Sequence, residues 1–379
     1  MDYKFPKTEL LSRSSSVDVL KNRDLAFIEK KILETLKLWD ISASIEETRV
    51  TPLAICYDFK PKAGTTSVKN FPKIKTDLEV RIGADVEIIT NRDVITITVL
   101  PEKRQFIRLR NLIESDEFKN AQSPMTVAVG IDYAGHILTV DIAELPHMLI
   151  AGTTGSGKTL FLNDIILSIL YKARPEQVQM ILVDPKKVDL ISYSGLPHLL
   201  SPVVYDAAHL VPTLDYVVSE AQKRLNLFAS CGVKNIEDYN KSHDANPLPR
   251  ILVIIDEYSE FMDDYRLDFE AIIDSICSNG RIVGIHMVIA TQRPTAKVMT
   301  AGIKSNFLCR ASFAVVDSKT SMAIFDTAEA NKLCGSGDML FAITTGAGTR
   351  HAQAPLVTES EKTDVIVSIR DENKNQRLY

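Results

Sequence analysis

His147-Met148-Leu149-Ile150-Ala151-Gly152-Thr153-Thr154-Gly155-Ser156-Gly157-Lys158-Thr159 carries, from Gly152 onward, the complete phosphate-loop pattern GxxxxGK[ST]. The flanks give the pattern its meaning. The apolar run from His147 to Ala151 reads as a buried strand, and Leu160 to Leu170 is rich enough in Leu and Ile to be a packed helix. Strand, glycine turn and helix together form a cradle for polyphosphate. Gly152, Gly155 and Gly157 let backbone amides crowd an anion at a helix N-terminus, with Thr153, Thr154, Ser156 and Leu160 completing the lining. The pattern predicts that Lys158 faces the β and γ phosphates of ATP and that the Thr159 hydroxyl ligates Mg2+.

Downstream, Ile251-Leu252-Val253-Ile254-Ile255 is too short for a free-standing helix and typical of a strand buried on both faces of a parallel sheet. It ends in Asp256-Glu257, where ligands bind in open α/β sheets. Asp256 is expected to hold the magnesium through water, and Glu257 to orient and deprotonate an attacking water. A helix cap is what an isolated Asp-Glu pair after a strand would suggest; the phosphate loop upstream turns the reading toward an ATPase.

The whole chain sets bounds. Its 379 residues suit two domains, and 45% hydrophobic with 25% charged residues is an ordinary globular composition. No apolar run reaches the roughly 18 residues of a membrane span, and the N-terminus has no apolar signal region, so a cytoplasmic protein is expected. The scattered Cys56, Cys231, Cys277, Cys309 and Cys334 form no CxxC pair and predict reduced thiols without a zinc site. A net charge of −5 argues against a generally basic, nucleic-acid-coating surface. Between Arg281 and Lys319, however, six basic residues (Arg281, Arg293, Lys297, Lys304, Arg310, Lys319) stand against Asp317 alone. That stretch is either a solvated face or a local basic channel.

Four segments follow from composition and period. Residues 1–22 read as a flexible lead-in, and 23–122 as a small α+β domain. Its helix carries Ile28, Ile32 and Leu36, widened by Leu25, Leu33 and Trp39. Its strands are expected at 51–59, 80–89 and 94–99, the last two joined by a turn at 91–93. Residues 123–360 alternate strand and helix, with strands at 127–129, 147–151, 180–183, 251–255, 286–290 and 311–316, which predicts an α/β domain with a parallel sheet wrapped by helices. Residues 361–379 read as a polar tail.

Beyond the two nucleotide motifs, Val183-Asp184-Pro185-Lys186-Lys187, Gly195-Leu196-Pro197-His198-Leu199, Gly284-Ile285-His286, Ala290-Thr291-Gln292-Arg293-Pro294 and Gly335-Ser336-Gly337-Asp338-Met339-Leu340 resemble, in order, the motor of the FtsK/SpoIIIE double-stranded DNA translocases. The resemblance spans about residues 25 to 360. It implies that residues 123–360 are a RecA-like P-loop ATPase domain assembled as a homo-hexameric ring around duplex DNA, each active site completed by a neighbour's arginine. Arg281 matches that arginine, with an exposed helical arginine as the plain alternative, and Gln292 is implied as the γ-phosphate sensor, with a turn-capping amide as its alternative.

The segment from Arg293 to Arg310 corresponds to a pore-facing region, with phosphate contacts implied for Arg293 and Lys304. Lys319 is equally a DNA contact, a nucleotide-side residue or a solvated lysine. Where family members carry Asp-Ser-Arg, this chain has Thr320-Ser321-Met322, which puts the second loop's DNA contact in doubt. The family's membrane anchor and winged-helix module do not fall within these residues. A motor without sequence-set direction of its own is expected, with a membrane protein as a candidate partner. Chromosome segregation and conjugative or phage DNA transfer use the same motor. Two other classes compete: a protein-secretion ATPase, which typically has several tandem ATPase domains, and a non-catalytic nucleotide-binding ring, which would not need Glu257.

Overall fold

A computed structural model of the chain describes residues 3–14, 22–50, 54–61, 68–90, 95–100, 106–145, 147–243, 246–264, 266–343 and 348–374. Two compact units emerge: Met1–Arg13, Arg108–Gly130 and Leu138–Tyr379 form the larger, and Ser14–Ile107 with Ile131–Ile137 the smaller.

The smaller unit includes α1 (Asn22–Leu38), whose Ile28, Ile32 and Leu36 are buried while Leu33, and Trp39 just past its end, stay exposed, so the apolar stripe is narrower than its sequence suggests. Its sheet, ordered β1-β2-β4-β3, comprises β1 (Ala43–Val50), β2 (Ile55–Pro61), β3 (Val86–Thr90) and β4 (Ile95–Val99), with every neighbouring pair antiparallel. The strand expected over 80–89 begins in a helix, which takes its first three residues, and is strand only from Val86. Lys75–Ile82 forms α2, because Ile74, Leu78 and Ile82 at four-residue spacing pack into the unit's core. Gly83, left-handed at φ +76°, ends it by donating its N–H to Glu79 O, and the chain enters β3 only at Val86. Strand β1 gives little apolar signal because it is an edge strand with mostly exposed residues. The expected turn at 91–93 and the start of the strand expected at 51 lie outside the described residues.

In the larger unit, the short helices α3 (Leu109–Ile113) and α4 (Asp116–Asn120) precede a nine-stranded sheet. Its strands are β5 (Thr126–Asp132), β6 (Ile137–Asp141), β7 (Met148–Ala151), β8 (Val178–Val183), β9 (Arg250–Ile255), β10 (Ile285–Thr291), β11 (Cys309–Phe313), β12 (Asp338–Ala342) and β13 (Arg350–Gln353). The spatial order is β6-β5-β13-β12-β11-β7-β10-β9-β8, and the run from β11 to β8 is parallel throughout. Helix α5 (Lys158–Lys172) follows β7. Then come α6 (Ala207–Cys231), α7 (Ile236–Ser242), α8 (Ser259–Asp264), α9 (Arg266–Val283), α10 (Ala301–Asn306), α11 (Ser318–Phe325) and α12 (Glu359–Glu372). Helix α5 buries Phe161, Leu162, Ile165, Ile166, Ile169 and Leu170, as an apolar helix does inside an α/β core. Strand β11 stops at Phe313, short of the expected 316, because Ala314 turns its carbonyl to the phosphate loop: Thr153 N and Oγ1 each donate to Ala314 O at 3.0 Å.

Both chain ends differ from expectation. The described start of the lead-in packs on the larger unit. Tyr3 is buried edge-on to His198 with ring centroids 5.1 Å apart, Lys4 N donates to Asn373 Oδ1 at 2.9 Å, and Ser12 N donates to Glu361 Oε1 at 2.6 Å. The polar tail, as far as Glu372, is α12, opened by a capping box between Thr358 and Glu361 and holding Val365, Ile366 and Ile369 in the core. Its polar composition conceals a three-residue apolar stripe.

Candidate functional site

Four parallel strands deliver the site. β7 ends at Ala151 before the phosphate loop, β10 at Thr291 before Gln292, β9 at Ile255 before Asp256, and β8 at Val183 before Asp184. Adjacent carboxyl ends in one sheet bring together residues far apart in sequence, and Gly152 N bridges two of these ends by donating to Thr291 O at 3.3 Å. Gly157 sits at φ +119°, and a Cβ there would lie 2.7 Å from Gly337 N. The close approach is a contact between two loops, since Gly337 N donates to Ser156 O at 2.9 Å. The Gly335–Gly337 loop is thereby a wall of the phosphate loop.

Lys158 is buried and ion-paired with Asp256 Oδ1. Asp256 Oδ2 is buried with no hydrogen-bond partner among the described residues. A buried ammonium at the loop and an orphaned carboxylate oxygen beside it are the donor set that a nucleotide phosphate and its cation require. Lys158 would face the phosphates, and Thr159 and Asp256 would hold the cation.

Glu257 is buried and left-handed at φ +50°, a conformation uncommon for residues other than glycine. Its Oε1 accepts from Thr291 Oγ1 at 3.0 Å, from Gln292 N at 3.0 Å and from Ser259 Oγ. Its Oε2 accepts from Lys186 Nζ at 3.2 Å and shares the Gln292 amide at 3.1 Å. Burial pushes the carboxyl pKa up, but the Ser259 and Gln292 donors, with Lys158 and Lys186, outweigh it and hold Glu257 below the ordinary carboxylate range.

Lys186 carried no role in the sequence. It stands on a loop built by Asp184, whose carboxylate accepts the backbone N–H groups of Lys186, Val188, Asp189 and Leu190 at 2.9–3.1 Å. From there Lys186 Nζ also reaches Gln292 Oε1 at 3.3 Å, and Thr154 Oγ1 donates to the same oxygen at 2.9 Å. The string Val183-Asp184-Pro185-Lys186 was the available signal, an acid after a strand followed by a lysine, but the lysine's partner is 71 positions downstream.

The basic residues separate. Arg281, in the last turn of α9, is exposed and pairs with Glu144 Oε2 at 2.7 Å. Arg293 is exposed and lies 3.6 Å from Glu260; Lys304 on α10 is half-buried and pairs with Asp326 at 3.0 Å; Lys319 is exposed in the first turn of α11. Arg310 does not belong to a basic surface. It is buried in β11 and its guanidinium donates to the carbonyls of Phe307, Ile324 and Lys304 at 2.6–2.9 Å. In the departing Thr320-Ser321-Met322 string, Ser321 is buried, donating to Thr327 O and accepting from Ala330 N, so it braces the loop from inside.

The sheet, the loop on its central strand and the carboxylates on the next strands define a P-loop ATPase of the α/β class, with a nucleotide as its ligand. A model of the FtsK/SpoIIIE family matches residues 108–296, and one of the FtsK alpha domain matches residues 5–101. The chain belongs to the FtsK/SpoIIIE family. It is 39% identical over 376 residues to the DNA translocase FtsK of Caldanaerobacter subterraneus subsp. tengcongensis, covering 98% of this chain and 53% of that one. It is 35% identical over 367 residues to the DNA translocase SftA of Bacillus subtilis, covering 94% and 38%. The chain thus spans about half the length, or less, of these curated relatives. Among solved structures, the fold is similar to the pCW3 conjugation coupling protein TcpA in its monomer form with ATPgS (TM-score 0.64, 23% identity, 90% of this chain and 99% of that). It is also similar to the cytoplasmic domain of the Thermomonospora curvata Type VII secretion ATPase EccC (TM-score 0.60, 23% identity, 70% and 34%). Among the described residues no helix is long and apolar enough to cross a membrane.

Proposed function

We propose that this chain is the motor of an ATP-driven translocase of double-stranded DNA, working as a homo-hexameric ring. The observation that carries the reading is the meeting of Lys158, Asp256, Glu257 and Gln292 at adjacent strand ends in a chain whose curated relatives are named DNA translocases. Magnesium, bound with ATP, would supply charge neutralisation on the phosphates. Lys158 holds the β and γ phosphates, Thr159 and Asp256 hold the cation, Glu257 takes the proton of the attacking water, and Gln292 senses the γ phosphate. Arg281 acts on the neighbour's site, which its exposure permits. Arg293, Lys304 and Lys319 grip DNA phosphates, contacts that suit a motor indifferent to sequence.

The test is ATP turnover with and without linear duplex at several salt concentrations, with displacement of a triplex-forming strand as the readout of movement. Duplex of any sequence should accelerate hydrolysis, less so as salt rises, because phosphate neutralisation releases counterions. Arg293→Ala should weaken the stimulation more than the basal rate. An active ATPase that neither responds to duplex nor displaces the triplex strand would overturn the reading.

A further inference from the structure

The geometry points to Lys186 as a positioning residue that latches Glu257 in the resting site and releases it when ATP binds. Two observations carry this, and it rests on the reading of Glu257 as the base. The first is the division of labour between the two carboxylate oxygens. Oε1 is saturated by fixed donors, the Ser259 and Thr291 hydroxyls and the Gln292 amide. Among the described residues Oε2 has one donor of its own, Lys186 Nζ at 3.2 Å, the Gln292 amide being shared between both oxygens. A base must offer a lone pair to the water it deprotonates, and Oε2 is the oxygen that can. Lys186 occupies it.

The second observation is that the latch is built to swing. Asp184 pins the backbone of the Lys186 loop with four N–H bonds, whereas the lysine side chain is 37% exposed and, among the described residues, is held at its tip by Glu257 and by Gln292 Oε1 at 3.3 Å. Gln292 Oε1 also takes Thr154 Oγ1 at 2.9 Å, which ties the resting latch to the middle of the phosphate loop. The γ phosphate of a bound ATP, which ADP lacks, offers Lys186 a stronger anionic partner than a shared carboxylate, so seating of the γ phosphate and release of Oε2 become one event. The exchange of Lys186 from Oε2 to the γ phosphate is then a step of every turnover after ATP has bound, and it restrains hydrolysis without DNA.

The experiment compares Lys186→Met, Lys186→Arg and Glu257→Gln with the wild type. The readouts are steady-state ATP turnover without DNA and, separately, affinity for a fluorescent ADP measured without magnesium. The latch predicts that Lys186→Met raises DNA-free kcat several-fold, leaves ADP affinity within about twofold, and narrows the ratio of DNA-stimulated to basal turnover. Lys186→Arg, which keeps a donor in reach, should return all three toward wild type. A fall in kcat in Lys186→Met, or turnover equal to wild type, overturns the latch; a tenfold loss of ADP affinity also overturns it and makes Lys186 a direct phosphate ligand. Glu257→Gln separates the two layers: if it turns over ATP like wild type, the assignment of the base has failed, and if it stalls while Lys186→Met shows no gain, only the latch has.

Discussion

At the scale of single residues, charge alone does not say what an arginine does. Arg293 and Arg310 lie in one basic stretch of sequence, yet one guanidinium is exposed and the other is spent on three buried carbonyls. Burial also pulls the Arg310 pKa down, the mark of a charge taken out of water. Arg310→Met should therefore destabilise the larger unit by about 3 kcal/mol, because it leaves buried acceptors without donors. Arg293→Ala should cost no more than about 0.5 kcal/mol, as surface changes do. Urea unfolding of both variants measures this directly, and equal midpoints would show that Arg310 is not the brace between α10, β11 and α11.

At the scale of elements, α12 and residues 3–14 are joined through one carboxylate. Glu361 accepts from Ser12 N and Thr358 N and lies 3.6 Å from Arg108. Burial pushes the Glu361 pKa up, but the Thr358 and Ser12 donors outweigh it and hold the carboxyl down at about 2. An acid whose folded pKa is depressed contributes stability that is fully present above its unfolded value, about 4.3, and is lost as pH falls from there toward about 2. Glu361→Gln should accordingly lower the thermal midpoint at pH 7 and make little difference near pH 2. A deficit that stays constant across that window would mean that packing, not ionisation, carries the effect.

At the scale of the whole molecule, the site within one chain has its phosphate loop and carboxylates, but Arg281 stands exposed at the end of α9 with Glu144 as its partner. In the proposed ring that arginine serves the neighbouring subunit, a contribution of about 10³ to 10⁵ in rate for such groups. Lys158→Ala and Arg281→Ala proteins should each be nearly inactive alone. Mixed in one ring they should recover activity, because some interfaces then carry an intact loop and an intact arginine. Native mass spectrometry confirms mixed rings, and mixed rings without recovered turnover would place Arg281 in a cis or purely structural role.

The sequence by itself determined the class of this protein. Gly152 to Thr159 and the strand ending in Asp256-Glu257 are local patterns, legible because a phosphate cradle and a buried parallel strand each demand particular residues at fixed short spacing. Short apolar runs located every strand from β7 to β11. The tertiary structure decided what depends on distant partners. Lys186 meets Glu257 and Gly337 walls the phosphate loop only because the fold sets side by side segments that lie far apart in the chain. The chain ends follow the same physics. Their composition is polar, and only packing against His198 and the core under α12 reveals that a few apolar side chains, Tyr3, Val365, Ile366 and Ile369, are enough to fix them once a surface is there to receive them.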